Sequence, residues 1–189
     1  MRGRPQNPRR LRADSAALSA LPIPFSDYCG IAIHSPISSA MRIALHQPDI
    51  AGNVGTILRM AACFGVPVDI IEPCGFPFSE RALRRAGMDY AEAAEISRHA
   101  DWEAFESRAT GRIVLLTTAA DLTLDKASFL PDDIVLLGSE GAGVPRPVHD
   151  RADLRVRIPM RPGFRSLNMA VSAGIALAEA LRQTGGWPQ

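Results

Sequence analysis

Lysine is almost missing from this chain: Lys126 is the only one among 21 basic residues, and the rest are arginine. Arginine makes planar, bidentate contacts with phosphate that lysine does not. A GC-rich coding bias produces the same composition, so both readings stay open. Cysteine is scarce too. Cys29, Cys63 and Cys74 are odd in number and show no CxxC spacing, which argues against a disulfide framework or a zinc cage and fits a reducing cytosol. His34, His46, His99 and His149 are scattered without ligand spacing, so each reads as a surface or satisfied residue and no metal is expected. Aromatic residues make up 6% of the chain, with no evident platform on which RNA bases would stack. No apolar run approaches the ~20 residues of a membrane helix, and no GK[ST] follows a glycine loop, so the P-loop reading fails.

What is present suits one folded domain with something left over: 189 residues, 47% apolar and 22% charged. The net charge of +1 is unevenly spread. Arg2, Arg4, Arg9, Arg10 and Arg12 face only Asp14 and Asp27 in the first forty residues, which leaves 16 basic and 18 acidic residues elsewhere. Any nucleic-acid contact would therefore run through a local patch and not an overall basic field. Residues 1–40 mix arginine, proline and serine without periodicity, as a disordered or non-native N-terminal extension would. A transit peptide has a similar composition; the reading favoured is that Met41 is the natural start and residues 41–189 form the domain.

From Met41 strands and helices alternate. MRIALH, VPVDIIEP, RIVLLTT, DIVLLG and LRVRIPM read as strands, and RIVLL and DIVLL have the continuous apolar character of strands buried on both faces of a parallel sheet. NVGTILRMAACFG predicts a helix capped by Asn53 and ended by Gly65; DWEAFESR one capped by Asp101; SERALRRAG one capped by Ser79. SLNMAVSAGIALAEALRQTGG predicts a long helix, capped by Ser166 and stopped by Gly185 and Gly186, with small or apolar residues nearly all round. The fold class expected is a single three-layer α/β domain with a mostly parallel sheet.

Ligands of such sheets collect beyond the carboxyl ends of the strands, and four segments there have unusual composition. In HQPDIAGNVGTILR, Val54, Ile57, Leu58 and Ala61 form an apolar face, with Gly52, Gly55, Thr56 and Arg59 opposite. GSEGAGVP, from Gly138, has the reverse of the dinucleotide G-x-G-x-x-G spacing, and Pro145 and Pro147 argue against a regular helix directly after it. Its glycines suit an open loop that meets a ligand through backbone groups, with Glu140 as the one ionic side chain. RIPMRPGFRSLN makes a second irregular loop that carries Arg161 and Arg165 towards a helix start at Ser166 and Asn168. Arg81, Arg84 and Arg85 share a helical face, as a solvated surface or a phosphate-binding patch would.

In this order PDIAGNVGTILRMAACFG, IVLLGSEGAGVP and IPMRPGFRSLNMAVSAGIALAEAL resemble the three motifs of the SPOUT class of RNA 2′-O-methyltransferases. IIEPCGF and LRRAGMDY extend the likeness to the short bacterial tRNA (cytidine(34)-2′-O)-methyltransferases, over about Met41 to Gln183. The resemblance implies a C-terminal trefoil knot, a homodimer with sites built across its interface, and tRNA as partner. S-adenosylmethionine would be the methyl donor, held at Leu116, Gly138, Ile158 and Ser166 with Gly141 and Met160 nearby. It implies catalytic roles for Arg59 and Asn53, with Glu140 and Asn168 in support; the RNA contacts expected of Arg81, Arg84, Arg85, Arg161 and Arg165 rest on their own clustering and loop placement. A guanidinium keeps its proton well above neutral pH, so Arg59 is read as orienting the ribose 2′-OH and its phosphate.

Rival readings are a Rossmann-type enzyme, for which HQPDIAGNVG has the wrong glycine spacing, and a non-catalytic RNA-binding module, which the scarcity of aromatics weakens. A 2′-O-methyltransferase acting on another tRNA or rRNA nucleotide is a further alternative. The location expected is the cytoplasm.

Overall fold

Residues 41–77 and 94–189 are described by the computed structural model. Their strands are β1 (Arg42–His46), β2 (Val68–Ile71), β3 (Ile96–His99), β4 (Ile113–Leu116), β5 (Leu122–Thr123), β6 (Ile134–Leu137) and β7 (Leu154–Arg157). They form one sheet in the order β3-β2-β1-β6-β4-β7-β5, and every strand pairing among them is parallel. The helices are α1 (Ala51–Phe64), α2 (Trp102–Glu106), α3 (Arg146–Arg151) and α4 (Met169–Thr184). The helix expected at Ser79, with Arg81, Arg84 and Arg85, lies outside the described residues.

Alternation along each strand divides the core in two. Ile43, Leu45, Val68, Ile70, Val114, Val135 and Leu137 point to the face covered by α1 and α4. Ala44, Ile71, Ile113, Leu115, Ile134 and Leu136 point to the other, under Phe105 of α2 and Val148 of α3. Helices on both faces make the expected three layers. They also explain the unbroken apolar runs, since neither face of the central strands meets water. Burying each of these Val, Leu, Ile and Phe side chains contributes roughly 1.5–3 kcal/mol.

Val54, Ile57, Leu58 and Ala61 of α1 are fully buried, and Gly65 closes the helix in the left-handed region at φ 67°. Gly55 is buried with them, where the helical count set it on the opposite face. Asn53 is not the cap: the helix begins two residues earlier, after Ile50, and Asn53 is its third residue. Asp101 does cap α2, accepting the Ala104 N–H at 2.7 Å. Asn168, not Ser166, caps α4, accepting the N–H groups of Ala170 and Val171 at 2.9 and 3.2 Å. α4 buries Met169, Ala170, Ala173, Ala176, Leu177, Ala180 and Leu181, yet Val171 and Ile175 stay 51% and 39% exposed. It is thus buried along a stripe and not all round.

Two strands and one helix escape the sequence pattern. β3 and β5 are the two edges of the sheet, where half-exposed and polar residues break the apolar signal. α3 starts directly after Pro145, with Pro147 in its first turn. Proline is tolerated there because first-turn N–H groups have no helical acceptor.

Candidate active site

Because the strands run parallel, the loops after β1, β4, β6 and β7 emerge at one edge. The order of strands changes direction between β1 and β6, which opens a crevice at that edge. A cleft of about 720 Å³ lies there, within the size range of small-molecule sites. Leu116, Leu137, Ile158 and Met160 supply apolar wall; Thr117, Ser139 and Ser166 supply hydroxyls; Gly138 supplies bare backbone.

The glycine loop is a tight fold-back. Ser139 and Gly143 exchange backbone hydrogen bonds at 3.0 and 2.9 Å, with Gly143 at φ 70°. A Cβ on Gly138 would stand 2.3 Å from the Gly143 carbonyl carbon, so only glycine lets the two ends of the loop meet.

Across the cleft mouth runs a chain of side-chain hydrogen bonds whose direction is set at both ends. Asn53 Nδ2 donates to Glu140 Oε1 at 2.7 Å, and Asn168 Nδ2 donates to Asn53 Oδ1 at 2.8 Å. A carboxylate only accepts, so Asn53 must turn its amide nitrogen to Glu140 and its oxygen to Asn168. Asn168 then has its own oxygen left for the α4 N–H groups, which only donate. The second carboxylate oxygen of Glu140 accepts the Asp49 N–H at 2.8 Å, and Asp49 Oδ2 accepts the Gly141 N–H at 3.0 Å.

Of the residues singled out in sequence, Leu116, Gly138, Ile158, Met160, Ser166, Asn53, Glu140 and Asn168 all line this cleft. Gly141 does not: it sits just outside, bound to Asp49. Arg59 also lies outside the lining, exposed on α1. Arg161 and Arg165 are exposed on the loop after β7. Besides the wall residues Thr117, Leu137 and Ser139, two titratable residues were missed. Asp49 carried a signal, a carboxylate three residues beyond a strand end, but its partner lies 92 residues away. His149 lines the cleft with Nδ1 3.7 Å from Asp150 Oδ1. His46 corrects the expectation for histidines differently: it is 2% exposed and its Nδ1 has no hydrogen-bond partner. Among the described residues no cluster of His, Cys, Asp and Glu is arranged to hold a metal ion, and no helix is long and apolar enough to cross a membrane.

Residues 40–178 match the SpoU rRNA Methylase family, and the chain belongs to it. It is 55% identical over 146 residues to the tRNA (cytidine(34)-2′-O)-methyltransferase of Beijerinckia indica subsp. indica, covering 76% of this chain and 91% of that one. A solved structure concerned with 2-OH methylation of C/U34 on tRNA superposes with TM-score 0.72 at 36% identity, covering 76% of this chain and 95% of that chain. An AdoMet-bound rRNA methyltransferase from Sinorhizobium meliloti does so with TM-score 0.69 at 32% identity, covering 78% and 57% respectively.

Proposed function

We propose that this chain transfers a methyl group from S-adenosylmethionine to the ribose 2′-OH of a tRNA nucleotide, the wobble cytidine or uridine at position 34. The observation that carries the reading is the cleft: eight of the residues proposed from the motifs meet in it, on segments far apart in sequence. The 55% identity to a relative named for that reaction supplies the substrate.

The lining suits the donor. Apolar Leu116, Leu137, Ile158 and Met160 would flank a flat heterocycle, while backbone groups beside Gly138 and the hydroxyl of Ser166 would take its polar edges. When bound, S-adenosylmethionine supplies an electrophilic methyl on a sulfonium whose leaving group departs neutral. The chain's own task is then alignment, and release of the 2′-OH proton as the new C–O bond forms and the methyl–sulfur bond breaks. Asn53 and Asn168, locked in orientation by Glu140 and the α4 N–H groups, present fixed amides at the cleft mouth. Arg59 orients the 2′-OH and the adjoining phosphate, and Arg161 and Arg165 hold the RNA backbone; Arg81, Arg84 and Arg85 extend that contact.

Arg59 lies outside its own chain's cleft, which fits a homodimer in which it serves the partner's site. The exposed Val171 and Ile175 on α4 are apolar surface available for that contact. In this reading the segment from β7 through α4 forms a trefoil knot, supported by the insertion of β7 between the earlier strands β4 and β5. The enzyme would work in the cytoplasm, with its tRNA.

The deciding experiment is methyl transfer from labelled S-adenosylmethionine to total tRNA, with the modified nucleotide mapped and Arg59→Ala alongside. A 2′-O-methyl at nucleotide 34, lost in the variant, is expected. Label at another nucleotide would overturn the substrate, and absence of donor binding would overturn the reaction.

A further inference from the structure

Asp49 lies at the meeting point of three loops, and none of the motif roles uses it. Its backbone N–H donates to Glu140 Oε2 at 2.8 Å, while its own Oδ2 accepts the Gly141 N–H at 3.0 Å. The two bonds close a reciprocal ring between loops 91 residues apart. From the other side Gly75 is pressed against the same residue. The Gly75 N–H donates to the Pro48 carbonyl at 2.9 Å, and a Cβ on Gly75 would stand 2.9 Å from Asp49 Cα and 3.2 Å from its carbonyl oxygen. Asp49 is therefore buttressed behind and bonded in front, with one carboxylate oxygen aimed at the glycine loop.

We propose that Asp49 is a positioning residue, whose carboxylate holds the 138–143 loop so that Glu140 meets Asn53 and the cleft keeps its shape. The physical need is plain. That loop has three glycines among its six residues, so its backbone has unusual freedom to lose. Its Ser139–Gly143 bridge ties the loop to itself and not to the rest of the site. Glu140 can orient Asn53 only if the backbone carrying it is anchored. The Asp49 carboxylate provides that anchor one residue beyond Glu140. An amide oxygen at the same place would accept the same N–H, so the role belongs to the acceptor and not to the charge.

The inference rests on the proposed function for what the cleft binds, but its exchange and donor-binding readouts do not depend on the RNA. The variants are Asp49→Ala, Asp49→Asn and Gly75→Ala, each followed by amide hydrogen exchange, calorimetric binding of S-adenosylmethionine and steady-state kinetics. In Asp49→Ala, exchange across 138–144 is expected to rise about tenfold while β1 and β6 stay unchanged. Donor affinity should fall about tenfold, appearing in KM for the donor more than in kcat. Asp49→Asn restores both. Gly75→Ala, which touches no cleft residue, reproduces the loosening by displacing Asp49. Unchanged exchange over 138–144 in Asp49→Ala overturns the proposal, as does Asp49→Asn behaving like Asp49→Ala. Exchange rising equally throughout the sheet also overturns it, because the effect would then be general destabilisation. Loosening as described in Asp49→Ala, together with a wild-type protein that methylates no tRNA, would keep the anchor and overturn the function instead.

Discussion

Arg42 and Asp69 face each other from adjacent strands β1 and β2, with the guanidinium Nε 2.8 Å and Nη2 3.1 Å from the two carboxylate oxygens. His99 Nε2, from β3, stands 2.7 Å from the same Oδ1. The three residues are 9%, 3% and 5% exposed, so one buried carboxylate ties together three strands beneath α2. Removing it strands a buried cation, which is far more damaging than replacing the whole group by apolar side chains. Asp69→Ala is expected to lower unfolding free energy by about 3–5 kcal/mol, read from chemical denaturation. The double variant Arg42→Met, Asp69→Leu should recover most of that loss. A double variant no better than Asp69→Ala would show that the pair itself stabilises the sheet.

His46 predicts that stability falls in acid. Burial lowers its pKa, outweighing a backbone hydrogen bond that raises it. The folded state holds the ring neutral, whereas the unfolded chain takes up a proton near the ordinary value of 6.5. Below that value the unfolded state binds more protons, so the stability His46 contributes is complete above about pH 6.5 and is lost as pH falls towards the folded value. Unfolding free energy measured from about pH 7.5 down to 5 should decline less steeply in His46→Leu than in wild type. Parallel curves would contradict the assignment.

Gly138 and Gly141 should respond very unequally to alanine. A methyl at Gly138 would overlap the Gly143 backbone at 2.3 Å, while one at Gly141 meets only Asp49 Oδ2, at 3.4 Å. Overpacking of the first kind costs about 1–3 kcal/mol and must distort the fold-back. Gly138→Ala should weaken donor binding about tenfold or more, and Gly141→Ala by less than about threefold. Calorimetry on both variants checks this; equal effects would mean that the loop does not need its close approach.

The apolar pair on α4 predicts an assembly. If Val171 and Ile175 lie within a homodimer contact, Val171→Glu with Ile175→Glu would bury two unpaired charges there. Sedimentation should then show a dimer for wild type and a monomer for the double variant. Transfer by the monomer should also fall if Arg59 acts across the interface. A monomeric wild type would remove the dimer from the reading.

Much of the fold is legible in the sequence, for reasons tied to particular residues. IVLL at 113–116 and again at 134–137 announces strands that no water reaches, because both faces are covered. Gly65 and Gly185, both left-handed at φ 67°, mark helix ends by a conformation that other residues resist. Where polarity is the whole signal, legibility fails. Ile-Ser-Arg-His at 96–99 pairs on one side only and reads like a loop. Ser166 and Asn168 are both capable caps, and local chemistry does not choose between them.

The choice falls to Asn168 in the folded molecule, where its amide nitrogen also reaches Asn53, 115 residues away. The amino-acid order by itself determined the alternating strands and helices, the buried faces and the three motifs by which the family is known, because those depend on neighbours and periodicity. Tertiary structure decided the joining of Glu140 to Asn53, Asn53 to Asn168 and Asp49 to Gly141. It decided too that Arg59 lies outside the cleft of its own chain. Hydrogen bonds between residues 87 to 115 positions apart leave no local pattern; they exist only once parallel strands bring their carboxyl ends to one edge.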